Sequence, residues 1–105
     1  MENVIYNKAV RDKIQNIIKK SGNSCSVKTL SDEEFLIKLE EKLLEEILEY
    51  QQSKSIEELV DILELIYRIS KLKGTSSERL EEIRKKKARK RGAFEKNLFL
   101  IDTEE

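Results

Sequence analysis

Four carboxylates stand in two pairs near the middle of the chain, and their spacing suits metal chemistry. Glu46 and Glu49 are three residues apart, and so are Glu58 and Asp61. Residues three apart in a helix share one face and lie about 4.5 Å apart along its axis, so each pair points two carboxylates in one direction. Clustered carboxylates repel one another unless a cation compensates them. The pattern predicts a site for a hard divalent cation.

The register of the two pairs favours one shared site. If the flanking helices form an antiparallel hairpin that turns at residues 53–54, positions equidistant from the turn face each other. Glu49 then faces Glu58, and Glu46 faces Asp61. The alternative is a solvated acidic face, which is the usual setting of any single glutamate on a highly charged helix.

The composition restricts the chemistry of such a site. The chain has no histidine, so its metal ligands are oxygens unless Cys25 contributes, and Mg²⁺ is the expected ion with Mn²⁺ as an alternative. The lack of histidine also excludes serine triads and Cys–His nucleophiles. Glu45 or Glu46 could orient or deprotonate a water molecule. Lys42, one turn before Glu46, could soften the repulsion or contact a phosphate.

Basic residues at both ends of the chain are candidates for phosphate contact. Arginine offers a planar fork of donors to phosphate, and lysine offers a compact charge. The candidates are Lys8, Arg11, Lys13, Lys87, Arg91 and Lys96. The alternatives are a solvated basic face or pairing with the acidic helices. A nucleic-acid partner is not favoured, because few aromatic residues accompany the basic ones.

Length and composition indicate a single all-α domain over residues 1–105. The chain is 40% charged and 38% hydrophobic, with no proline and three glycines, which suits amphipathic helices. Chains this short bury a small fraction of their surface, so oligomerisation is an open alternative. There is one cysteine, no apolar run of membrane-spanning length and no signal-peptide core, so a cytoplasmic protein without a membrane partner is expected.

Hydrophobic periodicity and capping residues predict four helices. Their expected spans are residues 7–20, 32–52, 56–73 and 76–90, with capping boxes at Ser31/Glu34, Ser55/Glu58 and Thr75/Glu78. The third helix is expected to bury Ile56, Leu59, Val60, Leu63, Ile66, Tyr67 and Ile69. The β-prone segments 24–30 and 93–101 could pair as a small two-stranded terminal ribbon.

Two sets of motifs resemble a known family. The acidic stretches 45–49 and 58–61 are similar to the paired motifs of the MazG-like all-α NTP pyrophosphatases, which include the phosphoribosyl-ATP pyrophosphohydrolase branch. The opening stretch 6–14 and the stretch 91–96 look like those of a small single-domain subgroup. The chain departs from that pattern in the short interval between the acidic motifs and in Gln15, where a proline often stands.

The resemblance implies both a fold and a reaction. The fold would be an antiparallel helical hairpin core in a four-helix-bundle assembly, as a homodimer or homotetramer. The reaction would convert a nucleoside triphosphate or related nucleotide to the monophosphate and pyrophosphate. Mg²⁺ would be held by Glu46, Glu49, Glu58 and Asp61. The alternative is a non-catalytic helical module that senses nucleotides or docks a partner protein. No motif identifies the base.

Overall fold

A computed structural model describes residues 3–104, and four α-helices account for all the regular structure in that range. The helices are α1 (Ile14–Lys20), α2 (Asp32–Ser53), α3 (Ile56–Leu72) and α4 (Ser77–Arg91). The all-α prediction is confirmed for these residues. Segments 24–30 and 93–101 contain no strand, and no backbone hydrogen bonds join them, so the structure does not contain the expected ribbon. No helix in the described range is long and apolar enough to cross a bilayer.

The two longest helices, α2 and α3, form the hairpin on which the acidic residues lie. Ser31 caps α2: its Oγ accepts the backbone N–H of Glu34 at 3.2 Å and donates to the Glu34 carboxylate at 2.9 Å. Lys54 ends α2 in a left-handed conformation, with φ of 58°. Ser55 caps α3 by accepting the N–H of Glu57. Because only two residues separate the helices, α3 must run back antiparallel along α2.

The segment before α1 crosses this hairpin instead of continuing α1 toward the N-terminus. The predicted helix start at Asn7 is wrong, because α1 begins at Ile14 and Asn7 has a φ of 46°. Ala9 is buried in the core with Leu39 and Leu65. In a helix, the side chains of this segment would point in different directions around the helix axis. The non-helical backbone instead buries Ala9 and allows the neighbouring side chains to reach the hairpin.

The buried face of α3 differs from the predicted one. Leu65 is buried, and Ile69 and Leu72 pack beside it. Six of the seven residues predicted to be buried are instead exposed, namely Ile56, Leu59, Val60, Leu63, Ile66 and Tyr67. Apolar residues cover more than one side of α3, and α2 covers only the side that contains Leu65. Apart from the part that the first turns of α4 approach, residues 3–104 leave the remaining side of α3 uncovered.

The last helix, α4, packs loosely on the end of the hairpin. Ser76 caps it by accepting the N–H of Arg79 at 3.1 Å, so the cap lies one residue after the predicted Thr75. Gly74 and Gly92 bracket α4 with positive φ angles, as glycines at helix ends often do. No residue of α4 is buried. Only its first turns approach α3, so its second half extends into solvent.

Candidate metal centre

The hairpin buries one of the four predicted ligands. Glu46 lies seven residues after Leu39, which is two helical turns, so both side chains lie on the face that α2 turns toward α3. Glu46 is consequently only 6% exposed. A carboxylate is rarely buried to this extent without a partner or a metal.

Two carboxylates from α3 meet Glu46 across the hairpin. Glu58 and Asp61 lie seven and four residues before the buried Leu65, on the same side of α3. Carboxylate oxygens of Glu46, Glu58 and Asp61 all lie within 4.8 Å of one another. The predicted facing of Glu46 and Asp61 therefore agrees with the structure.

A second group of carboxylates lies on α2 itself. Oxygens of Glu45, Glu46 and Glu49 are also within 4.8 Å of one another, so Glu46 belongs to both groups. Glu49 is exposed and Glu45 is half-buried. Glu49 is thus grouped with its neighbours on α2, and the structure does not group it with Glu58, which the register predicted to face it.

The electrostatics of Glu46 point to a missing partner. Its Oε2 is buried and accepts no hydrogen bond from the described residues. Burial raises the pKa of the Glu46 carboxyl. A hydrogen bond with Glu58, which forms when one of the two carboxyls is protonated, raises this pKa further. The negative charge of Asp61 also raises it. The ammonium of Lys42, 3.6 Å from the other oxygen, opposes the shift. A single lysine leaves the buried oxygen unsatisfied.

Two of the predicted phosphate-binding residues reach the same cluster. Lys8 Nζ is 3.1 Å from a carboxylate oxygen of Glu45, and Arg11 donates to Asp61 at 2.6 Å. The hydrogen bond to Glu45 raises the pKa of the Lys8 ammonium. Both cations are partly exposed, so they lie at the solvent edge of the cluster. The opening segment therefore places positive charge where a phosphate would approach the carboxylates.

The other predicted basic residues lie elsewhere. Lys13 precedes α1 and makes no ion pair within residues 3–104. Lys87 and Arg91 on α4, and Lys96 beyond it, likewise have no acidic partner in the described part of the chain. Of the six predicted phosphate-binding residues, all within the described range, only Lys8 and Arg11 form ion pairs with these carboxylates.

Sequence reasoning missed one residue that builds this site. Ala9 anchors the opening segment in the core, and its burial brings Lys8 and Arg11 to opposite helices of the hairpin. The sequence feature that could have identified Ala9 is its position as a small apolar residue between the cations Lys8 and Arg11.

The donor set fits a hard divalent cation. Octahedral Mg²⁺ at 2.0–2.1 Å from its ligands separates neighbouring oxygens by about 3 Å and opposite ones by about 4.2 Å. The oxygens of Glu46, Glu58 and Asp61 lie within 4.8 Å of one another, which is close to these separations. The unpartnered Glu46 Oε2 would gain a ligand bond, and the partly exposed Glu58 and Asp61 would leave coordination positions open to solvent.

Comparisons with known proteins add no relative: no family model, no curated protein and no solved structure matches this chain.

Proposed function

We propose that this chain is a Mg²⁺-dependent nucleotide pyrophosphohydrolase of the MazG-like type, which converts a nucleoside triphosphate or related nucleotide to the monophosphate and pyrophosphate. One observation carries the proposal. The buried Oε2 of Glu46 has no hydrogen-bond partner among residues 3–104, and Glu46 lies in a group with two carboxylates from the opposite helix. Such a group is costly without a cation and well suited to one.

The metal ion would be bound by Glu46, Glu58 and Asp61, and Glu49 would be a further ligand from α2. When bound, Mg²⁺ supplies Lewis-acid charge that polarises a phosphoryl oxygen and lowers the pKa of a water molecule. Mn²⁺ is an alternative ion, because it too accepts carboxylate and water ligands. This donor set is the feature shared with the paired acidic motifs of that family.

Other residues near the carboxylates would bind the nucleotide or accept a proton from the attacking water. Glu45 lies next to the buried cluster and is half-buried, so it can orient or deprotonate the attacking water. Lys8 and Arg11 can exchange their carboxylate partners for phosphate oxygens, since both are partly exposed. Their charge would stabilise the leaving pyrophosphate. Lys13, Lys87, Arg91 and Lys96 are weaker candidates for phosphate contact.

The proposal extends to assembly and location. A homodimer, or a homotetramer made of two dimers, would complete the four-helix bundle that the resemblance implies. The cytoplasm, where nucleotides are plentiful, suits a chain with one cysteine and no internal disulfide.

The direct test measures pyrophosphate release with Mg²⁺ over a panel of canonical and modified nucleotides. Glu46→Gln and Asp61→Asn should each lose at least about 100-fold in rate, because even outer-shell partners of a metal are worth 10–100-fold. Glu57→Gln is the matched control: Glu57 is exposed on the same α3 turn as Glu58 but belongs to neither carboxylate group. Its rate should match that of the unaltered protein.

Two results would overturn the proposal. One is the absence of turnover on every nucleotide, and the other is full activity in both ligand variants. Calorimetry with Mg²⁺ and a non-hydrolysable analogue then separates the alternatives. Binding without turnover identifies the non-catalytic nucleotide-sensing module.

A further inference from the structure

Tyr6 lies at the solvent edge of the candidate metal centre. It is 69% exposed, and the ammonium of Lys8 lies over its ring, 5.7 Å from the ring centroid. The same ammonium is 3.1 Å from a carboxylate oxygen of Glu45, and Glu45 is grouped with Glu46 and Glu49. An aromatic ring, a cation and the carboxylates therefore follow one another in space.

The residues that follow Tyr6 hold the backbone beside it. Ala9 is buried in the core, and Lys8 and Arg11 form ion pairs with the two helices of the hairpin. Asn7, between Tyr6 and Lys8, has a φ of 46°, in the left-handed region that asparagine adopts more readily than most residues. Tyr6 is thus attached to a fixed part of the opening segment, although its own side chain is not part of the core.

The exposed ring of Tyr6 is available to a ligand. Of the three tyrosines it is the most exposed, because Tyr67 is 38% exposed and Tyr50 is half-buried. Tyrosine combines a large apolar body with a polar tip, so its ring can contact both water and a flat apolar partner. Nucleobases stack on the faces of such rings.

A second ring and lysine show what distinguishes Tyr6. The ammonium of Lys54 lies 5.8 Å from the ring centroid of Tyr50, which is nearly the same arrangement. Lys54, however, forms no ion pair with a carboxylate in the described residues. Within residues 3–104, only the Tyr6 ring is therefore linked through its lysine to the carboxylate cluster.

The order of these groups matches the order of groups in a nucleotide. A nucleotide has an aromatic base at one end, a sugar in the middle and negatively charged phosphates at the other end. The phosphates suit Lys8 and a carboxylate-bound divalent cation, and the base suits the face of an aromatic ring. Inorganic polyphosphates and sugar phosphates have no group that would use the Tyr6 ring.

We propose that Tyr6 binds the base of the nucleotide by stacking, and that the substrates are nucleotides with an intact aromatic base and little selection among bases. The inference rests on the proposed function, because the phosphates must lie at the carboxylates. Stacking tolerates different bases, since each of them has a π-face. Purines have the larger π-face and should bind a few-fold more tightly than pyrimidines.

Calorimetry with Mg²⁺ tests this role by comparing a ligand that has a base with one that has none. The first ligand is α,β-methylene-ATP, which is not hydrolysed between its α- and β-phosphorus atoms, and the second is inorganic tripolyphosphate. Tyr6→Ala should weaken binding of the analogue by about 5-fold to 100-fold and leave binding of tripolyphosphate unchanged. Tyr6→Phe keeps the ring and should bind both ligands like the unaltered protein.

Two further variants make the comparison specific. Phe99→Ala removes another exposed aromatic ring, one that has no cation over it among the described residues, and should leave the binding of both ligands unchanged. Lys8→Gln removes the cation and should weaken both ligands alike, because its contact is with phosphate.

Fluorescence provides a second measurement of the base contact. The chain contains no tryptophan, so Tyr6→Trp introduces a single indole. Saturation with α,β-methylene-ATP should quench the emission of this indole, and tripolyphosphate should leave it unchanged. In Phe99→Trp, neither ligand should change the emission.

The proposal is wrong if α,β-methylene-ATP does not bind, or if Tyr6→Ala binds it as tightly as the unaltered protein does. It is also wrong if Tyr6→Ala weakens the analogue and tripolyphosphate equally, because Tyr6 would then act only by positioning Lys8. Pyrophosphate release from ATP is measured separately. Tyr6-dependent binding without release would refute the reaction and support the base contact, whereas release that Tyr6→Ala does not affect would support the reaction and refute the base contact.

Discussion

At the residue scale, Glu46 is the central residue of the candidate metal site. Sequence spacing identified it as one of four equivalent carboxylates, whereas the structure makes it unique. It is the buried member, it belongs to both carboxylate groups, and its Oε2 has no partner among the described residues. Lys42 pairs with the other oxygen of Glu46, and Lys8 and Arg11 pair with Glu45 and Asp61. The neighbouring cations therefore offset part of the negative charge but leave Glu46 Oε2 without a hydrogen bond from the described residues.

The raised pKa of Glu46 makes the metal-free fold less stable when this group ionises. A carboxyl whose folded pKa lies above its ordinary 4.5 contributes stability at lower pH, and this contribution is lost as pH rises through the folded pKa. Glu46→Gln should therefore raise the free energy of unfolding at pH 7 without metal, and should change it little at pH 4.

Urea unfolding at both pH values, with and without Mg²⁺, measures this effect. Mg²⁺ should stabilise the unaltered protein and not the Glu46→Gln variant, because the ion binds the ionised carboxylate. The prediction fails if the variant is less stable than the unaltered protein at pH 7 in the absence of metal.

Arg11 should weaken the binding of metal and strengthen the binding of nucleotide. Its guanidinium forms an ion pair with the Asp61 carboxylate at 2.6 Å, so it competes with a metal ion for that carboxylate. Arg11→Gln should bind Mg²⁺ a few-fold more tightly in calorimetry without nucleotide, while KM for the nucleotide rises about tenfold or more through loss of a charge-assisted phosphate contact.

Lys19→Gln is the control for Arg11, because Lys19 is an exposed cation on α1 without an ion pair in the described residues. It should change neither quantity. If Arg11→Gln weakens both Mg²⁺ binding and nucleotide binding, Arg11 stabilises the fold and does not bind the phosphate.

At the element scale, the opening segment and the hairpin act together. The hairpin supplies carboxylates from two helices, and the segment before α1 supplies cations to both of them. Lys8 reaches α2 and Arg11 reaches α3, with Ala9 buried between the two contacts. Local helix propensity in this segment yields to these three tertiary contacts, which explains why α1 begins seven residues later than predicted.

Ala9→Leu tests this anchoring. The larger side chain has no space beside Leu39 and Leu65, so the free energy of unfolding should fall by about 1–3 kcal/mol. Displacement of the segment should also move Lys8 and Arg11 away from the carboxylates. Val10→Leu, at the exposed neighbouring position, should change stability by less than about 0.5 kcal/mol. Equal unfolding curves for the two variants would contradict the anchoring role of Ala9.

At the scale of the whole molecule, one chain does not complete its own core. In the described range 3–104, three apolar side chains are buried and none is fully enclosed, while the radius of gyration is 18.4 Å. A compact domain of 105 residues has a radius of gyration of about 13 Å. A second copy in the proposed homodimer would supply further apolar contacts.

An obligate dimer makes stability depend on protein concentration. Each tenfold dilution should lower the free energy of unfolding by about 1.4 kcal/mol per dimer, and the thermal midpoint should fall with it. Calorimetric scans over a dilution series measure this shift. A concentration-independent midpoint in the unaltered protein would exclude the dimer.

Local chemistry alone determined the helices and the candidate ligands. Ser31 and the break at residues 53–55 set the bounds of the hairpin, because caps and turns depend on neighbouring residues only. The equal distances of Glu46 and Asp61 from that break then predicted that they meet. The number of helices and the meeting of Glu46 with Asp61 therefore followed from spacing, whereas the start of α1 and the predicted facing of Glu49 and Glu58 did not agree with the structure.

Tertiary structure decided what each face of those helices contacts. Several sides of α3 are apolar, so periodicity could not choose between Leu65, which α2 covers, and Leu63, which remains exposed. The start of α1 and the placement of Lys8 likewise depend on contacts with residues more than thirty positions away. Burial is a property of the packed neighbours, and for this reason only the folded chain identifies Glu46 as the carboxylate with a buried oxygen that has no hydrogen-bond partner among the described residues.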